Sequence, residues 1–412
     1  MLPSVEQGLP RVDRGSDAWL TDSLGVMREL QEASPIALSS EGYEILRYES
    51  ARRVLHQDRE FAPASAQVLS SMGQVPEHID VFLRDGLLPA IDGERHSRIR
   101  RVLMKVFTAR RVDKQRNLIR QTARQLLNEF IEAGRADFVE DFTTKYPVQV
   151  VTKIIGVPSE DIPLFQEWTL MIGRIADHPI GSTHPQVDAA LAGMAGYLSQ
   201  LVESRRRQPQ DDFITALLDV QESEGRLSEN EMLYNLVNLL MAGQDTTRLQ
   251  LASALLLLGR NPYQWRRLIS EPELAVNCVD EGMRLEPSVR RLYRTPRDPV
   301  QLEGYELDAG APLVVNVQAA NRDPRVFSDP DRFDIARPNA GQQLTFSLGP
   351  HFCLGAALSR AEQAEALQML TVAIPDFKLT SDVELRSLAH NFGGPERLVI
   401  AFPPRAREDD TT

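Results

Sequence analysis

The stretch "LYNLVNLLMAGQDTTRLQLASALLLL", residues 233–258, constrains the fold most. Apolar side chains fall on every face of a helix with 3.6 residues per turn, so the helix needs a surrounding medium that is not water. Asp245 and Arg248 stand at its centre, and no run of about 18 apolar residues remains to cross a bilayer. The stretch is therefore expected to be a buried helix with a polar interruption, with no membrane anchor.

Helical periodicity recurs at 114–133, 187–206, 228–259, 262–286 (with a break near "EPEL") and 354–373. Strand-like alternation is confined to short pieces at 43–48, 299–307, 311–317 and 397–402. These patterns predict a mainly α fold with a small, segregated β part. No linker or composition break divides the chain, which reads as a single domain over 1–412. A net charge of −12 argues against nucleic acid as a partner, since phosphate binding needs concentrated positive charge. The first residues carry neither a basic start nor an apolar core, so a cytoplasmic location is expected. Cys278 lies in a helical pattern and reads as a small buried hydrophobe.

Cys353 is different. It lies in "FSLGPHFCLG", residues 346–355, where Gly349, Pro350 and Gly355 deny it a regular element upstream. The unstructured segment 321–340, punctuated by Pro and Asp, ends six residues before Phe346, and such long loops usually serve a site. As a nucleophile Cys353 would need both a base and an oxyanion hole, and its loop offers only His351 near it in sequence. As a zinc ligand it lacks companions. A single thiolate ligand to haem iron needs only one cysteine. A helix starting just after it favours a negative sulfur, and the glycines let backbone approach a flat macrocycle.

With these residues the chain resembles the cytochrome P-450 family. Phe346, Gly349, Cys353 and Gly355 have the spacing of that family's haem loop, and His351 stands where a propionate-binding residue usually lies. "AGQDTT", 242–247, resembles the oxygen-activation motif, in which Ala242 and Gly243 make room and Asp245 and Thr246 deliver protons. "EGMR" supplies Glu281 and Arg284, which in the family join an arginine of the "PDRF" segment, here Arg332, to brace the haem loop; Arg337 is an alternative third member. "GERHSRIRR" resembles the propionate-binding helix, with His96 and Arg100 one turn apart, and Arg294 matches a further propionate partner.

The resemblance implies the P-450 fold, haem b as cofactor, and a monooxygenase that inserts one oxygen atom from O2 by hydroxylation or epoxidation. It also implies a separate ferredoxin and reductase as electron donors, because the chain holds no flavin or nicotinamide fingerprint. A haem-thiolate sensor or carrier is the alternative, and the Asp245–Thr246 pair argues against it. A peroxide-driven relative would carry Arg–Pro at that pair. Pocket residues carried over by position are Asn238, Met241, Ala242, Val289, Asn391 and Phe392, with 60–91 and 176–186 as variable walls. They imply a medium-sized, mainly apolar substrate. Arg290 and Arg291 make the 288–294 segment more basic than in relatives, which leaves open a contact with an acidic substrate. Arg98, Arg101 and Lys105 share one side of the 95–111 basic stretch and form the expected ferredoxin-docking face.

Overall fold

Leu313–Asn316, four buried residues in a row, form the centre of a five-stranded sheet. The structure is a computed structural model that describes residues 8–64, 75–176, 184–224, 227–388 and 390–407. The described residues group into two compact units. One is drawn from Met1–Ala64, Ala252–Cys353 and Val383–Glu396, the other from Ser65–Leu251, Leu354–Asp382 and Arg397–Thr412.

In the first unit the sheet runs in the order Ile36–Ser39, Gly42–Ile45, Leu313–Asn316, Arg291–Pro296, Phe61–Pro63. Gly42 turns the first hairpin at φ 132°, where a Cβ would lie 2.3 Å from the Pro312 carbonyl oxygen, so only glycine fits. Leu313–Asn316 pairs parallel to Gly42–Ile45 and antiparallel to Arg291–Pro296. Being central, its strand is apolar on both faces, and Leu313 and Val315 pack with Ile36, Ile45, Leu55, Phe61 and Phe327. Burial of each such side chain contributes about 1.5–3 kcal/mol.

The strand expected over 43–48 ends at Ile45, because Tyr48 opens the helix Tyr48–His56 and its backbone N–H donates to Asp323 Oδ2 at 2.9 Å. The expected strand at 299–307 is a hairpin of Val300–Leu302 and Tyr305–Leu307, turned at Glu303 and Gly304 with φ of 53° and 83°. Segment 321–340 has almost no regular structure but is anchored by buried Asn321, Asp323, Phe327 and Ile335. The expected helix 262–286 is broken as foreseen, into Pro262–Ser270 and Ala275–Leu285.

The second unit is mainly helical. Its core joins Phe82, Ile99, Val102, Leu103 and Phe165 to Leu191, Met194, Leu198, Leu236, Val237 and Leu240. The last three lie on Glu229–Arg260, the long helix anticipated from the sequence, of which residues through Leu251 count in this unit. Ala356–Ala373, the helix after the cysteine, packs on Arg116–Phe130 through Arg116 and Arg120, which both pair with buried Glu365. Tyr146 donates its hydroxyl to the Glu362 carbonyl at 3.0 Å and fixes the same helix from another side. No described helix is long and apolar enough to cross a membrane.

Candidate active site

In the first unit Cys353 sits on a loop whose backbone folds back on itself. Its N–H donates to the Phe346 carbonyl at 2.8 Å, and Phe352 N–H donates to the Gly349 carbonyl at 3.0 Å. Ser347 and Gly349 take φ of 60° and 65° to allow this. At Gly349 the loop presses on the helix Tyr48–His56: a Cβ would stand 2.8 Å from the His56 carbonyl oxygen and 3.2 Å from that of Leu55. Phe346 is buried and stacks edge-on with Phe352 at 6.2 Å, whereas Cys353 is exposed and in no disulfide. Among the described residues no group of three or more His, Cys, Asp or Glu could hold a metal ion. One exposed thiol on a rigid loop fits an iron whose equatorial ligands come from a macrocycle.

The loop is held by a buried ionic brace. Arg284 and Glu281, both fully buried, pair one turn apart on Ala275–Leu285, with Nε to Oε2 at 2.7 Å. The third member is Arg337, whose Nε donates to Glu281 Oε1 at 3.0 Å. The expected partner Arg332 is exposed and contributes only its backbone carbonyl, which accepts from Arg284 at 3.2 Å and Arg337 at 2.9 Å. Segment 321–340 curls around the two guanidiniums, so the residue at its inner end reaches the carboxylate. Arg284 also donates to the Asn321 carbonyl, and Asn321 Oδ1 accepts from Leu344 N–H at 2.8 Å, which carries the brace to the start of the cysteine loop. Arg294 reaches the same loop, with NH2 3.4 Å from Ser347 Oγ.

Val289 bridges Phe392, so these two expected pocket residues do meet. Asn391 is occupied as a clamp: its carbonyl accepts from Arg290 N–H and its Oδ1 from Arg291 N–H at 2.8 Å. The two extra arginines are likewise engaged. Arg290 is buried, donates to the Ser387 carbonyl at 3.0 Å, and its guanidinium is pushed down by desolvation. Arg291 pairs with Glu41 at 3.5 Å.

In the second unit the long helix is buried on most of its length, but residues 241–246 are less covered. Met241, Asp245 and Thr246 are half-buried and Ala242 is exposed. Asn238, one turn earlier, is buried, and its Oδ1 accepts no hydrogen bond among the described residues. Thr246 Oγ1 donates to the Ala242 carbonyl at 2.8 Å, a back-bond that loosens the helix there. Asp245 Oδ1 accepts from Arg248, a contact the sequence reading did not assign. Both charges were visible in the sequence at i, i+3, which is a sufficient signal.

His96 is buried and Arg100 half-buried, one turn apart on Gly93–Val106. On the opposite side the expected docking face loses one member. Arg98 donates to Glu231 Oε1 at 2.6 Å and Oε2 at 2.9 Å, leaving Arg101 and Lys105 as its exposed residues. Glu362 was also missed by the sequence reading. Desolvation pushes its carboxyl well above the usual carboxylate range.

A family model described as Cytochrome P450 matches residues 41–384 and runs through both units. The mycinamicin IV hydroxylase/epoxidase of Micromonospora griseorubida is 34% identical over 85% of this chain and 88% of its own. The cytochrome P450 monooxygenase PikC of Streptomyces venezuelae is 36% identical over 70% of this chain and 68% of its own. Among solved structures, CalO2 superimposes with a TM-score of 0.88 at 26% identity, covering 96% of this chain and 100% of the other. P450BioI, solved with a hexadec-9Z-enoic acid-ligated acyl carrier protein, gives 0.84 at 25% identity, covering 94% and 100%. With a family model over most of its length and a relative 34% identical over 85% of it, the chain belongs to the cytochrome P450 family and is a haem b-binding monooxygenase.

Proposed function

We propose that this monooxygenase oxidises a medium-sized, mainly apolar molecule such as a terpenoid, steroid, fatty acid or polyketide-like compound, with electrons from a separate ferredoxin and its reductase. One atom of O2 enters a C–H or C=C bond, the other leaves as water, and two electrons and two protons are consumed. Haem, when bound, supplies the activation of O2.

In this reading Cys353 is the thiolate ligand, and Phe346, Gly349 and Gly355 shape the loop that presents it. His96, Arg100, Arg294 and His351 neutralise the two haem carboxylates by charge-assisted hydrogen bonds. Glu281 and Arg284, with Arg337 in place of Arg332, keep the loop rigid. Asp245 and Thr246 handle protons, and Met241, Ala242, Val289 and Phe392 line the substrate space. A cytoplasmic location agrees with two cysteines that form no disulfide.

The observation that carries the substrate class is the uncovered stretch of the long helix. An otherwise buried helix presents Met241 and an exposed Ala242, and Asn238 Oδ1 is a buried acceptor without a partner among the described residues. Apolar surface with a few orienting polar groups suits an apolar ligand bearing few hydroxyls. A relative named for both hydroxylation and epoxidation of mycinamicin IV supports either outcome and a substrate from secondary metabolism. A screen of macrolides, steroids, terpenoids and fatty acids by the spin-state change of the ferric enzyme tests this. Apolar ligands should produce the change and be oxidised when ferredoxin and its reductase are supplied. A response confined to highly charged, hydrophilic compounds overturns it.

A further inference from the structure

We infer that Arg248 is a positioning residue for the proton-handling acid: it anchors one oxygen of Asp245 and leaves the other, Oδ2, as the working oxygen. The inference rests on the reading of Asp245 given above. Arg248 lies two positions beyond Thr246 on the long helix and is nearly buried, with its side chain 10% exposed against 29% for Asp245. Its Nε and NH2 both donate to a single atom, Asp245 Oδ1, at 3.2 and 3.0 Å. Two donors on one oxygen fix the carboxylate's rotation in a way that one would not.

The other oxygen has a different neighbour. Oδ2 faces Gly173, the last residue of the helix Ile162–Gly173, and a Cβ at that position would lie 3.2 Å from it. Glycine there leaves Oδ2 its space, and any side chain would crowd it by a few tenths of an ångström. Thr246 is held separately, by its back-bond to Ala242. The acid and the alcohol are thus oriented by different partners, and Arg248 acts only through Asp245. A guanidinium in the middle of an apolar helix is costly without a carboxylate, so the charges are mutually dependent. A purely structural pair would explain that dependence, and the test must separate it from a positioning role.

The experiment uses the haem-loaded enzyme with a substrate from the screen, ferredoxin and reductase, and compares Arg248→Met, Arg248→Lys, Asp245→Asn and the double variant Asp245→Asn/Arg248→Met. Arg248→Met should keep the substrate-induced spin change and KM, and raise the share of electrons released as hydrogen peroxide at least threefold. Arg248→Lys should recover at least half of that loss, and the double variant should match Asp245→Asn alone. Independently of turnover, Asp245→Asn should lower the unfolding midpoint more in the parent than in the Arg248→Met background. Should Arg248→Met fail to take up haem, Gly173→Ala poses the question with Arg248 intact and should also raise peroxide release. Parent-like coupling in Arg248→Met, or in Gly173→Ala where that variant decides, overturns the inference while leaving the role of Asp245 intact. A double variant clearly worse than Asp245→Asn overturns it too. Unchanged coupling in Asp245→Asn itself removes the underlying reading and the inference together.

Discussion

Arg337 donates its Nε to Glu281 Oε1 at 3.0 Å from a position 56 residues further along the chain, and so completes a brace that Arg284 begins one turn away from the same carboxylate. Glu281 is fully buried, so removing Arg337 leaves a carboxylate short of one cation in a place without water. Loss of one partner from a buried ion pair costs about 3–5 kcal/mol. Arg337→Ala is expected to lower the unfolding midpoint and the haem-to-protein ratio sharply, whereas exposed Arg332→Ala should stay within about 0.5 kcal/mol of the parent. Equal losses from both replacements would contradict the assignment of the third partner.

Asn238 presents the opposite balance. Its Oδ1 is buried without a donor among the described residues, and an unsatisfied buried polar atom costs about 1–3 kcal/mol. Asn238→Leu should therefore stabilise the ligand-free enzyme by an amount in that range. It should also weaken binding of substrates that carry a donor group about tenfold, equivalent to about 1.4 kcal/mol. Thermal unfolding and spectral titration check the two halves, and a variant that binds such ligands as well as the parent would remove Asn238 from the substrate site.

Glu231 makes stability depend on acidity. Burial opposes its charge, but hydrogen bonds from Arg98, the Ser228 N–H and Arg95 outweigh burial and hold its carboxyl down to about 2, against 4.5 for an ordinary glutamate. A carboxyl depressed in the folded state adds stability that is complete above the unfolded value and is lost as pH falls through the folded one. Glu231→Gln should thus melt a few degrees below the parent at neutral pH, with the gap closing between about pH 4.5 and pH 2. A gap that stays constant over that window would show that the ion pairs contribute nothing to folding.

The same ion pairs change how electron delivery should be tested. Because Arg98 is bound by Glu231, replacing it would disturb the fold, and exposed Arg101 and Lys105 are the residues to reverse. Changing both to glutamate should slow ferredoxin-supported reduction about tenfold at low salt, and the loss should shrink as salt screens the attraction. The substrate-induced spin change should not move. Equal reduction rates at low salt would exclude this face.

What the sequence disclosed was local. The long helix, the cysteine loop and the Glu281–Arg284 pair are each written within a few turns of chain, where periodicity, glycine placement and i, i+3 spacing act directly. What it hid depended on distant partners. Arg332 and Arg337 are five residues apart in an irregular segment, and only its folded path decides which guanidinium reaches Glu281. Arg98 is withdrawn from the basic face by Glu231, 133 residues away. The strand at 43–48 stops early because Asp323, 275 residues beyond, receives the Tyr48 N–H. Asn391 reads as a pocket residue by position, yet the arginines of the neighbouring strand claim its side-chain oxygen and its carbonyl.

The proposed role of Cys353 is to ligate the haem iron as a thiolate. Its most direct measurement is the absorption spectrum of the reduced, carbon-monoxide-bound protein before and after Cys353→Ala, with Cys278→Ala as the control. Cys278 is fully buried, and burial pushes its thiol far up, away from the thiolate form. Cys353→Ala should abolish the long-wavelength band of thiolate-ligated haem while Cys278→Ala retains it. A band that survives Cys353→Ala intact would show that Cys353 is not the iron ligand.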